Sequence, residues 1–419
     1  MLRKLMRNPA IPDAYRSNFT HLYFDIAWFS VLSGSAINFQ SVYAARLGAT
    51  GWQIGLLGAL PALINLALSI PSSTWLEKRP IHRSVFLTSA LYRLGFLFWI
   101  LLPWLFSEEF QVWGLIGLVL VQAIPLTAMA VGMNALFAAA VPPDWRAHVA
   151  GTRNVLLSIT YIATSLVSGY LLHRISFPLG YQIVFGIGFL GALMSSMHLY
   201  FVKPLPESSR HRRPVRAPAA RRPRKASTGL NILHSMRPDI WRTPFRGPLL
   251  VMLVFHFVQY LSIPVFPLFF VRQLHLTDEQ IGLGTALFYI TVLLGSSQLV
   301  RLSHRLGHHR VTGLGAIGMS IYPILLSFCT NPLQFYIVST VGGFGWAMLG
   351  GAYANYLLEK IPANDRPAHL AWYNIILNTA ILSGSLLGSL IAGHIGLGIA
   401  LLVFGIARLL AGVVILRRG

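Results

Sequence analysis

Two stretches of the chain, residues 22–202 and 249–416, are apolar almost without interruption. Hydrophobic residues make up 55% of the 419 and charged residues 11%, where a soluble domain carries roughly 25% charge. Such a chain belongs in lipid, where every backbone N–H and C=O needs a partner within its own segment, as a helix provides. At about 20 apolar residues per crossing, the first stretch divides into six spans near 22–45, 52–76, 84–106, 112–141, 149–173 and 181–202. The second divides near 249–271, 279–302, 311–329, 333–358, 368–393 and 396–416. The expected fold is an all-α membrane protein of twelve transmembrane helices in two six-helix bundles, 1–202 and 247–419, joined by a linker at 203–246. The single cysteine, Cys329, excludes an internal disulfide framework. No cleavable leader is expected, because the basic start runs into an apolar stretch long enough to span.

The linker is a basic strap holding twelve Lys/Arg against Glu207 and Asp239. Its prolines and like charges oppose a packed core and predict disorder in the first half, while residues 231–242 could form a short interfacial helix. Set between membrane spans, the strap is expected to meet anionic lipid headgroups rather than nucleic acid. Lysine and arginine near span ends stay cytoplasmic. The strap's side, with both termini, carries 28 of the 33, and the other side only Arg46, Arg174 and Arg272. Both termini and the strap are therefore predicted inside a multi-pass plasma-membrane protein. The remaining two, Arg93 and Arg408, fall within spans, and Arg408 is expected to snorkel toward Arg417 and the interface.

The two bundles share sequence. Leu47, Thr50, Gln53, Ile54, Gly55 and Leu56 match Leu274, Thr277, Gln280, Ile281, Gly282 and Leu283 at an offset of 227. Thr and Gln three apart before an apolar run form the capping-box pattern of a helix start. At an offset of 220, Pro142, Arg146, Asn154, Ser158 and Ser165 match Pro362, Arg366, Asn374, Asn378 and Ser385. Helices 5 and 11 thus carry corresponding polar faces.

Two parallel six-span repeats joined by a long cytoplasmic loop resemble the major facilitator superfamily of secondary transporters. The resemblance covers the whole chain, although the family's loop signature, G-x-L-x-D-R-x-G-R-R between helices 2 and 3, is degenerate here. The segment Trp75 to Arg83 has Glu77 in the acidic place and lacks the glycines, and the second copy, Leu302 to Arg310, has His304 there. The resemblance implies pairing of such charges across the cytoplasmic face, so Glu77, Arg79, Arg83, Arg146, Arg305, Arg310 and Arg366 are candidate gating residues. It also implies a central cavity lined by helices 1, 4, 7 and 10. Helix 5 lacks the glycine-rich proline signature of many drug/proton antiporters.

The candidate cavity residues are polar or aromatic groups on single helix faces. Helix 7 has His256, Gln259 and Tyr260 at i, i+3 and i+4, and helix 10 has Trp346 and Tyr353. Gln122 of helix 4 would face them, with Asn154, Tyr161, Asn374 and Asn378 where the halves meet. Asp25 is the one acid within a span. A membrane carboxylate can carry protons because burial raises its pKa; pairing with Arg93 or Arg16 is the competing structural reading. The expected function is secondary active transport of a small organic solute by alternating access, as symporter or antiporter, with a proton or another coupling ion. The alternatives are an exporter without proton coupling through Asp25, or a membrane-embedded enzyme or lipid scramblase. Against an enzyme, neither an H-E-x-x-H motif, nor a nucleophile elbow, nor a pair of membrane carboxylates occurs. No cofactor, no metal and a monomeric state are expected.

Overall fold

The computed structural model describes residues 13–205, 237–362 and 365–418. Most of the strap, with its expected disorder, lies outside the described residues. Helix α1 runs Asp13–Leu32, passes through a π turn at Ser33–Ile37, and continues as Asn38–Arg46. The first bundle is completed by α2 (Gly51–Glu77), α3 (Ile81–Leu105), α4 (Glu108–Ala140), α5 (Arg146–Arg174) and α6 (Leu179–Phe201). In the second, α7 runs Arg246–Ser262, breaks at Ile263 and Pro264, and resumes as Val265–Leu268 with a π turn at Phe269–Gln273. Residues 278–306 form α8 and 308–326 form α9, followed by α10 (Pro332–Lys360), α11 (Arg366–Ile395) and α12 (Leu397–Arg418).

Ten of these helices are long and apolar enough by themselves to cross a membrane. The exceptions are α1 and α9. The loop expected between helices 8 and 9 is not a loop: α8 and α9 abut at Gly307, whose φ of 79° and ψ of 156° turn the chain where a residue with a Cβ would be strained.

The repeat is visible in the local structure. Thr50 Oγ1 accepts from the Gln53 amide at 3.3 Å while Gln53 Oε1 accepts from the Thr50 amide at 2.8 Å. The Thr277 and Gln280 pair does the same at 3.2 and 2.9 Å. Both boxes start a second helix of a bundle. The π turn of α1 and the break in α7 also correspond, since Ala36 and Ile37 stand 227 residues before Ile263 and Pro264.

Within the first bundle α1 packs on α5 and α6, α3 on α4 and α6, and α2 on α4; in the second, α7 packs on α11 and α12, and the α8–α9 unit on α10 and α12. The bundles meet through α5 with α8 and α2 with α11. At the first contact a Cβ on Gly282 would come within 2.7 Å of the Ser165 carbonyl oxygen, and Ser165 Oγ donates to the Gly282 carbonyl at 3.2 Å. At the second, a Cβ on Gly55 would come within 2.7 Å of the Ser385 carbonyl oxygen. Gly55 and Gly282 are repeat partners, as are Ser165 and Ser385, so one small-residue contact is made twice. Such contacts let membrane helices approach closely.

The end of the strap also departs from expectation. Pro238–Arg242 is a single 3-10 turn, whose Ile240 is fully buried with Phe245, Leu249 and Tyr356 in the second bundle. Arg237 bridges Asp239 at 2.8 Å and Asp365 at 3.2 Å, and its hydrogen bond holds the Asp239 carboxyl below the ordinary carboxylate range. Residues 231–236 of the expected interfacial helix lie outside the described residues, and the remainder, 237–242, is docked on protein.

Candidate functional site

With an even number of helices, both termini and the strap share one end of the molecule, and contacts joining the bundles gather at the other, far end. Arg46, at the end of α1, reaches Asp278 Oδ1 at 3.1 Å and the Leu276 carbonyl at 2.5 Å. From the other bundle Arg272 donates to the Ala49 carbonyl at 2.6 Å. Ala49 and Leu276 are 227 residues apart, so each bundle extends an arginine to the same backbone position of its partner. Two of the three far-side arginines in the sequence are thus a clamp. The Arg46 and Asp278 side chains are 27% and 11% exposed, which puts their pairing near the upper end of exposed ion pairs, about 1 kcal/mol. Arg46→Ala is expected to raise the fraction of molecules open at the far end about fivefold, read as a distance distribution between spin labels on either side of that end.

The seam parts toward the strap. On one face of α5 stand Gly169, Ser165, Tyr161 and Asn154; on the facing side of α8 stand Gly282, Tyr289 and Ser296. Gly169 and Ser165 touch Gly282, the Tyr161 and Tyr289 rings stack with centroids 4.1 Å apart, and Asn154 and Ser296 are exposed. The Tyr161 hydroxyl donates to Asn38 Oδ1 at 3.1 Å beside the π turn of α1.

Against this stack lies a cavity of about 320 Å³. The first bundle contributes Asn38 and Tyr161; the second supplies Gln259, Tyr260, Phe266, Phe270, Tyr289, Tyr322, Trp346 and Arg408. Of the residues proposed from sequence, Gln259, Tyr260, Tyr161 and Trp346 are brought together here. A larger depression, about 740 Å³, lies between α2, α3 and α4 with exposed Leu91, Leu94, Phe98, Val121 and Ile124 around it; it belongs to the apolar outer surface.

Arg408 does not snorkel. It is 2% exposed and donates to the Gln259 carbonyl at 2.8 Å and the Met319 carbonyl at 3.3 Å. It sits mid-helix in α12, where the way to the interface is several turns long and the carbonyls of α7 and α9 are near.

Several other candidates sit elsewhere. The Gln122 amide accepts from Trp99 Nε1 at 2.8 Å and donates to the Tyr92 carbonyl at 3.1 Å; it ties α4 to α3 instead of facing the central cavity. His256 Nε2 and the Tyr373 hydroxyl share a hydrogen bond of 2.8 Å, with the Tyr353 ring 6.3 Å from the imidazole, one layer strapward of Gln259. Asn378 donates back to Asn374 of its own helix at 2.9 Å. Asn154 is exposed above the opening.

Among the described residues Glu77 takes part in no ion pair; Arg79 lies over the Trp75 ring at 4.6 Å, and Arg146 donates to the Ala138 and Val141 carbonyls. Arg83, Arg305, Arg310 and Arg366 are exposed. The expected latch between these charges is therefore not formed among the described residues.

Asp25 is buried within the first bundle. Its carboxylate accepts from Ser195 Oγ at 2.6 Å and faces Arg93 at 3.6 Å and Arg153 at 3.4 Å. Of the two partners considered from sequence, Arg93 is present. Arg153, counted with the loop charge, turns inward instead, and Ser195 of α6 closes the group. Nothing in the sequence pattern marks these two, because they come from helices distant in the chain.

A sequence profile of the Major Facilitator Superfamily matches residues 24–260 and 248–418, and the chain belongs to that superfamily. It is a multi-pass membrane transporter, not an enzyme. Among its relatives is the cis,cis-muconate transport protein of Acinetobacter baylyi, 23% identical over 296 residues, covering 70% of this chain and 68% of the relative. A multi-drug resistance efflux pump homologue of Lactococcus lactis is 32% identical over 115 residues, 27% of this chain and 28% of the pump. The solved structure of a D-xylose-proton symporter superposes with a TM-score of 0.71 at 16% identity, covering 96% of this chain and 97% of that one.

Proposed function

We propose that the chain moves a small organic solute across the plasma membrane by alternating access, acting as a monomer. In this reading the strap and termini are cytoplasmic and the present state faces inward, with the solute site between α1, α5 and the second bundle. The observation that carries it is a cavity at the seam, closed at one end by the clamp and the paired glycine contacts and parted at the other. The wall is aromatic, with hydrogen-bonding groups from Gln259, Ser339 and Thr285, suited to an organic solute rather than an inorganic ion. The transport functions named for its relatives support the general reading.

Asp25, caged by two arginines and a serine, serves in this proposal as a brace of the first bundle rather than as the proton carrier. Asp278, by contrast, is a carboxylate built into a contact between the halves.

Alternating access is tested by two spin-label pairs, Trp52 with Gln273 at the far end and Asn154 with Ser296 at the strap end, each position changed to cysteine in a Cys329→Ala background. In membranes, the far-end distance should lengthen in the population whose strap-end distance shortens. A single unchanging distance at both ends under every solute and gradient tried would remove the proposal.

A further inference from the structure

We infer that the transported solute carries an anionic group, a carboxylate or its equivalent on a flat apolar body, and that Arg408 receives that group. The inference rests on the reading of the seam cavity as the solute site. A guanidinium keeps its charge in a protein, and a charge held at membrane depth is costly unless something compensates it. The molecule shows both ways of meeting this cost. Arg93 and Arg153 converge on Asp25, so their charge is partly neutralised within the bundle. Arg408 has no such partner: among the described residues it is in no ion pair, its Nε has no hydrogen-bond partner, and only the two carbonyls of Gln259 and Met319 offset it. The acids of the second bundle, Asp278, Glu279, Glu359 and Asp365, all lie at helix ends, and Asp239 lies in the 3-10 turn of the strap.

The uncompensated charge forms part of the cavity wall. Next to it Gln259 is 5% exposed and its Oε1 has no hydrogen-bond partner; turning the amide over would present its N–H donors to an incoming oxygen. Phe266, Phe270, Tyr322 and Trp346 supply ring faces and edges for a planar body. Arg408, expected from sequence at the interface, instead brings a positive charge to this cavity.

The test uses the full chain, purified in detergent, with cinnamate and muconate set against cinnamide and muconamide in equilibrium dialysis. The acids should bind at least about tenfold more tightly than their amides, the margin a charge-assisted hydrogen bond provides. Arg408→Gln should remove that margin, weakening the acids about tenfold and leaving the amides within about twofold, and Arg408→Lys should keep part of it. Equal binding of acid and amide by the unmodified protein overturns the inference, as does a margin that survives Arg408→Gln. If Arg408→Gln fails to fold, the acid-to-amide ratio of the unmodified protein decides alone. Acids that do not bind while a neutral solute binds and is lost on Trp346→Ala would overturn the anionic assignment and leave the cavity reading standing. Binding indifferent to Trp346→Ala would remove the cavity reading itself.

Discussion

Gly282→Val is expected to give a folded protein that no longer closes its far end. The Cβ would meet the Ser165 carbonyl oxygen at 2.7 Å and the Cα of Gly169 at 3.1 Å. Both are backbone atoms of a helix, so no side chain can swing aside, and the strain is relieved only by separating α5 from α8. Overpacking of this kind costs about 1–3 kcal/mol, enough to shift the balance between far-end-closed and far-end-open states roughly 5- to 150-fold. Transport should fall by an order of magnitude or more, because a cycle needs both states.

The shift is read directly by Thr285→Cys in a Cys329→Ala background. Thr285 lines the cavity just beyond the seam, and a membrane-impermeant maleimide added at the far side should label it much faster in the Gly282→Val protein. Gly55→Val should reproduce the effect, since it strikes the corresponding contact with Ser385 and Ser389. Gly151→Val is the control on a helix position with open space around the Cβ. Unchanged labelling and transport in both seam variants would mean that these contacts do not close the gate.

The second large effect is expected at Asp25. Asp25→Asn leaves Arg93 and Arg153 facing each other with no counter-charge in a site where Arg93 is 2% exposed. Removing one partner of a buried ion pair typically costs about 3–5 kcal/mol, so the thermal midpoint in detergent should fall by several degrees. The diagnostic comparison is the double variant Asp25→Asn with Arg93→Gln, which removes the more deeply buried of the two stranded charges and should recover much of the loss. A purely structural brace predicts that recovery. If instead Asp25→Asn keeps its thermal midpoint and loses only gradient-driven accumulation, the carboxylate carries the proton after all.

Features repeated along the sequence were legible before any coordinates. The two capping boxes, the helix number and the matching serines of α5 and α11 stem from spacing and from the length of apolar runs, both local properties of the chain. The cavity was legible in part: Gln259, Tyr260 and Trp346 could be picked out because a polar or aromatic face on a membrane helix needs something other than lipid to face. Pairings between helices distant in the chain stayed hidden. Arg408 could reach the interface or the carbonyls of α7 and α9, and helix position alone does not choose. Asp25 needed three other helices to define its surroundings, and Gln122 could be placed in α4 but not rotated. The latch expected among the crowded strap-side charges is not formed among the described residues, whereas Arg46 and Arg272, on the sparse side, join the bundles. A charge standing against the orientation rule carries more information than one obeying it.

The reciprocity of Arg46 and Arg272 bears on how the gate opens. Each grips a backbone carbonyl at the same repeat position of the opposite bundle, and the two glycine contacts are likewise copies of one another. A rigid rocking of one bundle about an axis relating them lengthens both members of each set together. Opening should therefore be one concerted event with no half-unlatched intermediate, and a defect in either arm should alter the same single transition rather than create a second one.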